Sequence, residues 1–270
     1  MKDPAGPSHA SGAAVSRTPT GAAPMQQIIA AQTRMELRLR LRHGETLLLT
    51  LVIPVVLLLF FASVDVVRTP GEEPLDFLVP GMLALAVMST AFTGQAIATA
   101  FERSYGVLKR LGATALPRWG LLTAKTIAVL AVELLQWALL GGIGLALGWR
   151  PSAAGVLPAI LLLLLGTACF SGLGLLMAGR LRAEATLAAA NGLYVVLLLA
   201  GGLIVPLERL PAPLERVGSV LPTAALADGL RAALTAGALD TGVLAGRSVA
   251  VLLGWSVALL GAAALTFRWE

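Results

Sequence analysis

The sequence predicts an all-α integral membrane protein with six transmembrane helices, on three observations. Hydrophobic residues make up 57% of the 270 and charged residues only 13%, against roughly 25% charged in soluble domains. Six stretches are apolar over about the 20 residues a spanning helix needs. Runs such as LLLTLVIPVVLLLFF and AILLLLLG lack the alternation over ~10 residues that marks the strands of a closed membrane barrel.

The chain divides into a tail (1–24), an interfacial helix (25–45) and a six-span domain (46–270). Residues 1–24 are rich in Pro, Gly, Ser and Ala and lack the ~7–15-residue apolar core of a secretory signal, so they read as a disordered cytoplasmic tail. Met25–Gly44 is free of Pro and ends in LRLRLRHG, with Arg38, Arg40 and Arg42 beside Leu37, Leu39 and Leu41. A helix in the headgroup layer suits it, basic residues meeting anionic lipid. Strict alternation spreads leucines around a helix, so a basic anchor without fixed structure is the second reading.

The spans are expected at Thr46–Val64, Phe77–Ala100, Trp119–Leu147, Ser152–Ala178, Ala185–Val205 and Ser248–Phe267. TPGEEP (Thr69–Pro74), WRPS (Trp149–Ser152) and GRLRAE (Gly179–Glu184) break them with turn chemistry. Pro206–Arg247 is too apolar for a tail and too broken by Pro206, Pro211, Pro213 and Pro222 for one helix. Within it Thr223–Ala236 reads as a short helix with a Thr cap. Small residues four apart, Ala138–Gly142, Gly144–Gly148 and Gly174–Ala178, permit close helix contact.

Six spans put both termini on one side. That side carries fourteen Lys/Arg and the other six, which assigns the termini and the second-to-third connection to the cytoplasm of a plasma-membrane protein. The net charge of +5 follows from this topology rather than from a nucleic-acid partner, since the basic residues form no stripe with aromatics. Cys169 is the sole cysteine and lies in an apolar run, so there is no disulfide framework and no thiolate metal site. His9 and His43 fall outside the spans, and no paired-acid, HExxH or phosphate-binding GxxxxGK[ST] motif occurs. The chain is expected to hold no catalytic residue, metal or cofactor of its own.

Phe101–Trp119, FERSYGVLKRLGATALPRW, is a basic, half-apolar connection between two spans. As a helix, residues 103–112 would gather Val107, Leu108 and Leu111 within about 100° of arc, with Lys109 facing away and Pro117 ending the element. That pattern suits docking into a groove. A plain topology loop with its leucines on the bilayer fits it as well.

The string ERSYGVLKRLGATALPRWGLLTAK, Glu102 to Lys125, resembles the signature after the second span of type 2 ATP-binding-cassette exporter permeases, ER(x)xGxLKRLxxTPLPRW. Ala115 stands where that family often has Pro. The resemblance implies a subunit like those of drug-resistance and daunorubicin exporters. It implies an N-terminal interfacial helix, a cytoplasmic coupling helix after span two and short outer-leaflet helices before the last span. Two permease copies, identical or different, would pair with two separate ATPase subunits that hold the ATP and Mg²⁺. Glu102, Arg103, Gly106, Leu108, Lys109, Arg110 and Leu111 would contact the ATPase.

Inside the spans Glu133 stands about 21 Å from Trp119 at ~1.5 Å per residue, where an ionised acid costs roughly 2.5–3.5 kcal/mol to insert. It either lines a substrate path, with Gln136 one turn on, or bridges helices as a protonated acid. Thr93 with Gln95, and Asn191 with Tyr194, add polar surface open to the same two readings. The function expected is export of a hydrophobic drug, natural product or lipid-like molecule; an ATP-independent transporter or channel and a permease for lipid-linked glycans are the alternatives.

Overall fold

The computed structural model describes residues 24–42, 44–64, 74–203, 207, 211–235 and 241–267. The expected tail, apart from Pro24, lies outside them, as do both histidines and most of the TPGEEP turn. Among the described residues every regular element is helical. The protein is therefore all-α, and among the described residues five helices are long and apolar enough to cross a bilayer.

Helix α1 (Met25–Arg42) precedes α2 (Gly44–Ser63), which carries Pro54 inside it and is markedly apolar over Thr50–Ser63. The Leu-Arg alternation thus folds as helix, leaving Leu39 and Leu41 exposed while Gln32 and Glu36 are buried. The next span is continuous over Pro74–Ser104. It comprises α3 (Pro74–Val87), a π segment (Met88–Gly94) and α4 (Gln95–Ser104). A short α5 (Val107–Gly112) leads to α6 (Arg118–Ala146). Then come α7 (Val156–Arg180), entered by a 3₁₀ turn at Ala153–Gly155, and α8 (Ala183–Ala200). Helices α9 (Ala212–Gly218) and α10 (Pro222–Leu234) precede α11 (Thr241–Thr266).

The span over Pro74–Ser104 is the axis of the molecule. Its most apolar stretch is 83% buried, against 22% for α8 and 22% for the apolar part of α11. Gly174 lets α7 close on the axis, since a Cβ there would meet the Phe92 carbonyl oxygen at 2.8 Å. Helix α11 lies along α7, tied by Ser256 Oγ donating to the Leu165 carbonyl at 3.1 Å. Helix α10 folds back into the bundle with Thr223–Ala227 buried. It is held there by Arg231, whose guanidinium stacks 3.6 Å from the Phe77 ring centre and donates to the Leu203 carbonyl at 3.1 Å.

Three local expectations are corrected. Helix α8 stops at Ala200, short of Val205, where the Gly201–Gly202 turn removes the side chains that favour continuation. Helix α10 has no Thr cap: Pro222 at its first position presets the backbone and Thr223 is buried in the first turn. Of the small-residue pairs, Gly174–Ala178 packs, and Gly144 of the Gly144–Gly148 pair is buried against Val79 and Trp149. Gly142 faces open space, and Gly148 lies in the turn after α6 with φ of 102°.

Candidate functional site

The connection after α4 is a bent elbow rather than one helix over residues 103–112. Gly106 adopts φ of 72°, a left-handed conformation that costs little only for glycine, and the bend turns α5 back onto the bundle. Leu108 is consequently 0% exposed, packed with Leu116, Leu121, Leu122, Leu175 and Phe267, with Leu111 at the edge of the cluster. Leu108 therefore faces inward as a support, not outward as a docking knob. The outward face is formed by Tyr105, 74% exposed, and by Lys109 and Arg110.

Glu102 and Arg103 also turn inward. The Arg103 guanidinium donates to the Leu181 carbonyl just beyond α7. Lys125 on α6 has no exposed side-chain surface and donates to Glu102 at 2.5 Å and to Glu36 of α1 at 2.9 Å. Gln32 braces Glu36 at 2.9 Å. Three elements that the sequence separates meet at one ammonium group. Burial pulls the nearby Arg40 guanidinium below its ordinary pKa, while Glu36, Glu102 and Glu133 draw it back up. Sequence reasoning took Lys125 as a topology charge and Glu36 as part of a surface helix. The available signal was the i, i+4, i+8 row Gln32, Glu36, Arg40 on one face of α1.

Deeper in the bundle the polar residues form two rungs. Thr167 Oγ1 lies 2.5 Å from Glu133 and 2.9 Å from the Leu163 carbonyl. The Thr167 hydroxyl has one proton and shares it between these two acceptors. Gln136 bridges helices: its amide donates to the Thr50 carbonyl at 3.0 Å and accepts from Thr90 of the π segment at 3.1 Å.

The other candidates fall apart from these. Gln95 is fully buried with both amide atoms unpartnered. Asn191 is exposed and donates to the Leu187 carbonyl of its own helix, and half-buried Tyr194 rests on the core. Thr93 lines a cleft of about 800 Å³ between α1, α2 and the second span, together with Glu36, Arg40, Thr50 and Glu102. Among the described residues no cluster of His, Cys, Asp or Glu could hold a metal ion.

Residues 26–235 of this chain, from α1 through α10, match the family model described as ABC-2 type transporter. The chain belongs to the ABC-2 type transporter family. It is also similar to a Bacillus subtilis (strain 168) protein named as transport permease YvfS, at 25% identity over 205 residues, 73% of this chain and 81% of that protein. An ABC-2 permease is a transport subunit, and the five apolar helices make this one a multi-pass membrane protein.

Proposed function

We propose that this ABC-2 permease is the membrane half of an ATP-driven exporter in the plasma membrane. In this reading it has six spans, with α2 as the first and both termini in the cytoplasm. Two permease copies pair, each elbow docks on a separate ATPase subunit that binds ATP and Mg²⁺, and the cargo is a hydrophobic drug, natural product or lipid-like molecule. One observation carries the reading. The elbow presents Tyr105, Lys109 and Arg110 outward on a base fixed by Leu108 and by the Glu36–Lys125–Glu102 network. A rigid, basic projection joined to two spans transmits a push from a partner as a movement of those spans.

The test is co-purification of the permease with its proposed ATPase subunit. Lys109→Glu with Arg110→Glu is expected to abolish association and transport while leaving the permease folded, because both side chains are exposed. Undiminished association would remove the elbow as the docking element.

A further inference from the structure

The cleft beside the elbow has a distribution of groups that docking does not require. Its volume of about 800 Å³ lies within the roughly 300–1,000 Å³ of small-molecule sites. It follows the second span from Ser89 to Glu102, roughly 20 Å at about 1.5 Å per residue. Among the described lining residues, charge is gathered toward the elbow end, with Glu36 and Arg40 from α1 and Glu102 from α4. The remainder is apolar wall, Leu39, Ala98 and Val132 among it, dotted with the hydroxyls of Ser89, Thr90 and Thr93. Length with charge at a single end matches an amphiphile.

The charged end also constrains the head group. Lys125 closes it from behind and pairs with both carboxylates. With Arg40 included, two cations stand against two carboxylates among the described residues of this end. Glu133, the remaining acid acting on Arg40, is engaged with Thr167. A ligand of net charge would leave one charge uncompensated in a poorly solvated place. Hydrogen bonding is nonetheless incomplete. Arg40 Nε and Thr93 Oγ1 are buried without partners, and the Glu102 side chain keeps 26% of its surface open. Arg40 Nε lacks an acceptor, and the carboxylate has room for a donor beyond Lys125. A head group that supplies both and carries no net charge is a zwitterion.

We propose that this cleft binds a zwitterionic amphiphile, its anionic group against Arg40, its ammonium against Glu102 and one acyl chain along the wall of α4. The inference deepens the proposed function by naming the class of molecule the permease admits, and it rests on that reading only for the step of transport. Binding requires no ATPase.

The delipidated full-length permease in detergent is titrated with four probes of one chain length, followed by native mass spectrometry. These are a lysophosphatidylethanolamine, a lysophosphatidic acid, an alkyltrimethylammonium and a monoacylglycerol. The zwitterion is expected to bind at least about tenfold tighter than the other three, the scale of one charge-assisted hydrogen bond. Arg40→Gln and Glu102→Gln are each expected to lower that affinity about tenfold. Ala98→Leu, which narrows the cleft without changing charge, weakens every chain-bearing probe. Should Glu102→Gln not fold, the Arg40 and Ala98 variants carry the comparison.

Equal binding of the four probes overturns the proposal, as does a zwitterion affinity unchanged by Arg40→Gln and Ala98→Leu. Free phosphoethanolamine binding as tightly as the whole amphiphile overturns the chain-binding part. The variant Lys109→Glu with Arg110→Glu is expected to bind the zwitterion normally, so failure of docking and failure of this site give different results.

Discussion

Lys125 is the residue on which the end of the bundle shared by α1, α4 and α6 turns. An ammonium group taken fully out of water costs several kcal/mol, recovered only when counter-charges sit in hydrogen-bonding geometry. Glu36 and Glu102 supply that geometry at 2.9 Å and 2.5 Å. Lys125→Met strands Glu36, whose side chain is 5% exposed, and is expected to destabilise the fold by about 3–5 kcal/mol. Adding Glu36→Gln and Glu102→Gln to Lys125→Met removes the stranded charges and should restore most of the loss. Thermal unfolding in detergent, read from tryptophan fluorescence, measures both. A single variant as stable as the parent would mean that the network contributes nothing. Beyond the polar row Gln32, Glu36, Arg40 on α1, the network was not legible beforehand, because Glu36 and Lys125 are 89 residues apart and a lysine near the end of a span has an ordinary explanation in topology. Glu133 was legible as an anomaly, since one acid amid VLAVELLQWALL is conspicuous. Its partner Thr167 was not, since a threonine in a span commonly bonds its own helix.

Spans announce themselves through length and composition, and those expected from the second to the fourth fall within a few residues of the observed helices. What escapes is how helices bend and touch. The π segment Met88–Gly94 contains ordinary residues, and an i→i+5 pattern leaves no periodic trace in so short a stretch. The elbow was hidden by a good amphipathic pattern that continues through Gly106, where only a positive φ breaks it. Small-residue pairs show the same limit. Gly142 and Gly174 look alike in sequence, yet a Cβ at Gly142 meets nothing within 4 Å, and at Gly174 it meets the Phe92 and Ala91 carbonyl oxygens at 2.8 Å and 3.2 Å. Backbone oxygens within a packed axis cannot rotate away. Gly174→Ala is therefore expected to cost about 1–3 kcal/mol, whereas Gly142→Ala should gain roughly 0.5–1 kcal/mol by favouring the helix. Thermal stability of the two variants side by side decides it. Equal shifts would show that α7 does not approach the π segment this closely.

At the scale of the molecule, burial falls from the central span to its periphery, and the ion network joins α1, α4 and α6 at one end of that span. Elements joined by a buried ammonium and its carboxylate partners resist sliding, because separating them leaves the ammonium unpaired in a poorly solvated place. Helix α1, the elbow and the start of α6 should accordingly move as one body when a partner pushes on α5, while the change needed for alternating access occurs elsewhere. Spin labels at Arg38→Cys on α1 and Ala113→Cys at the end of α5, both exposed, with buried Cys169 replaced by Ala, report this directly. In the assembled transporter the distance between these two labels should be the same with and without bound ATP. In the proposed assembly of two permease copies, the distance between the Ala113→Cys labels of the two copies should shorten on ATP binding. A change within one copy as large as that between copies would mean that α1 slides over α6. The network would then be a contact that breaks in each cycle rather than the brace that carries the push.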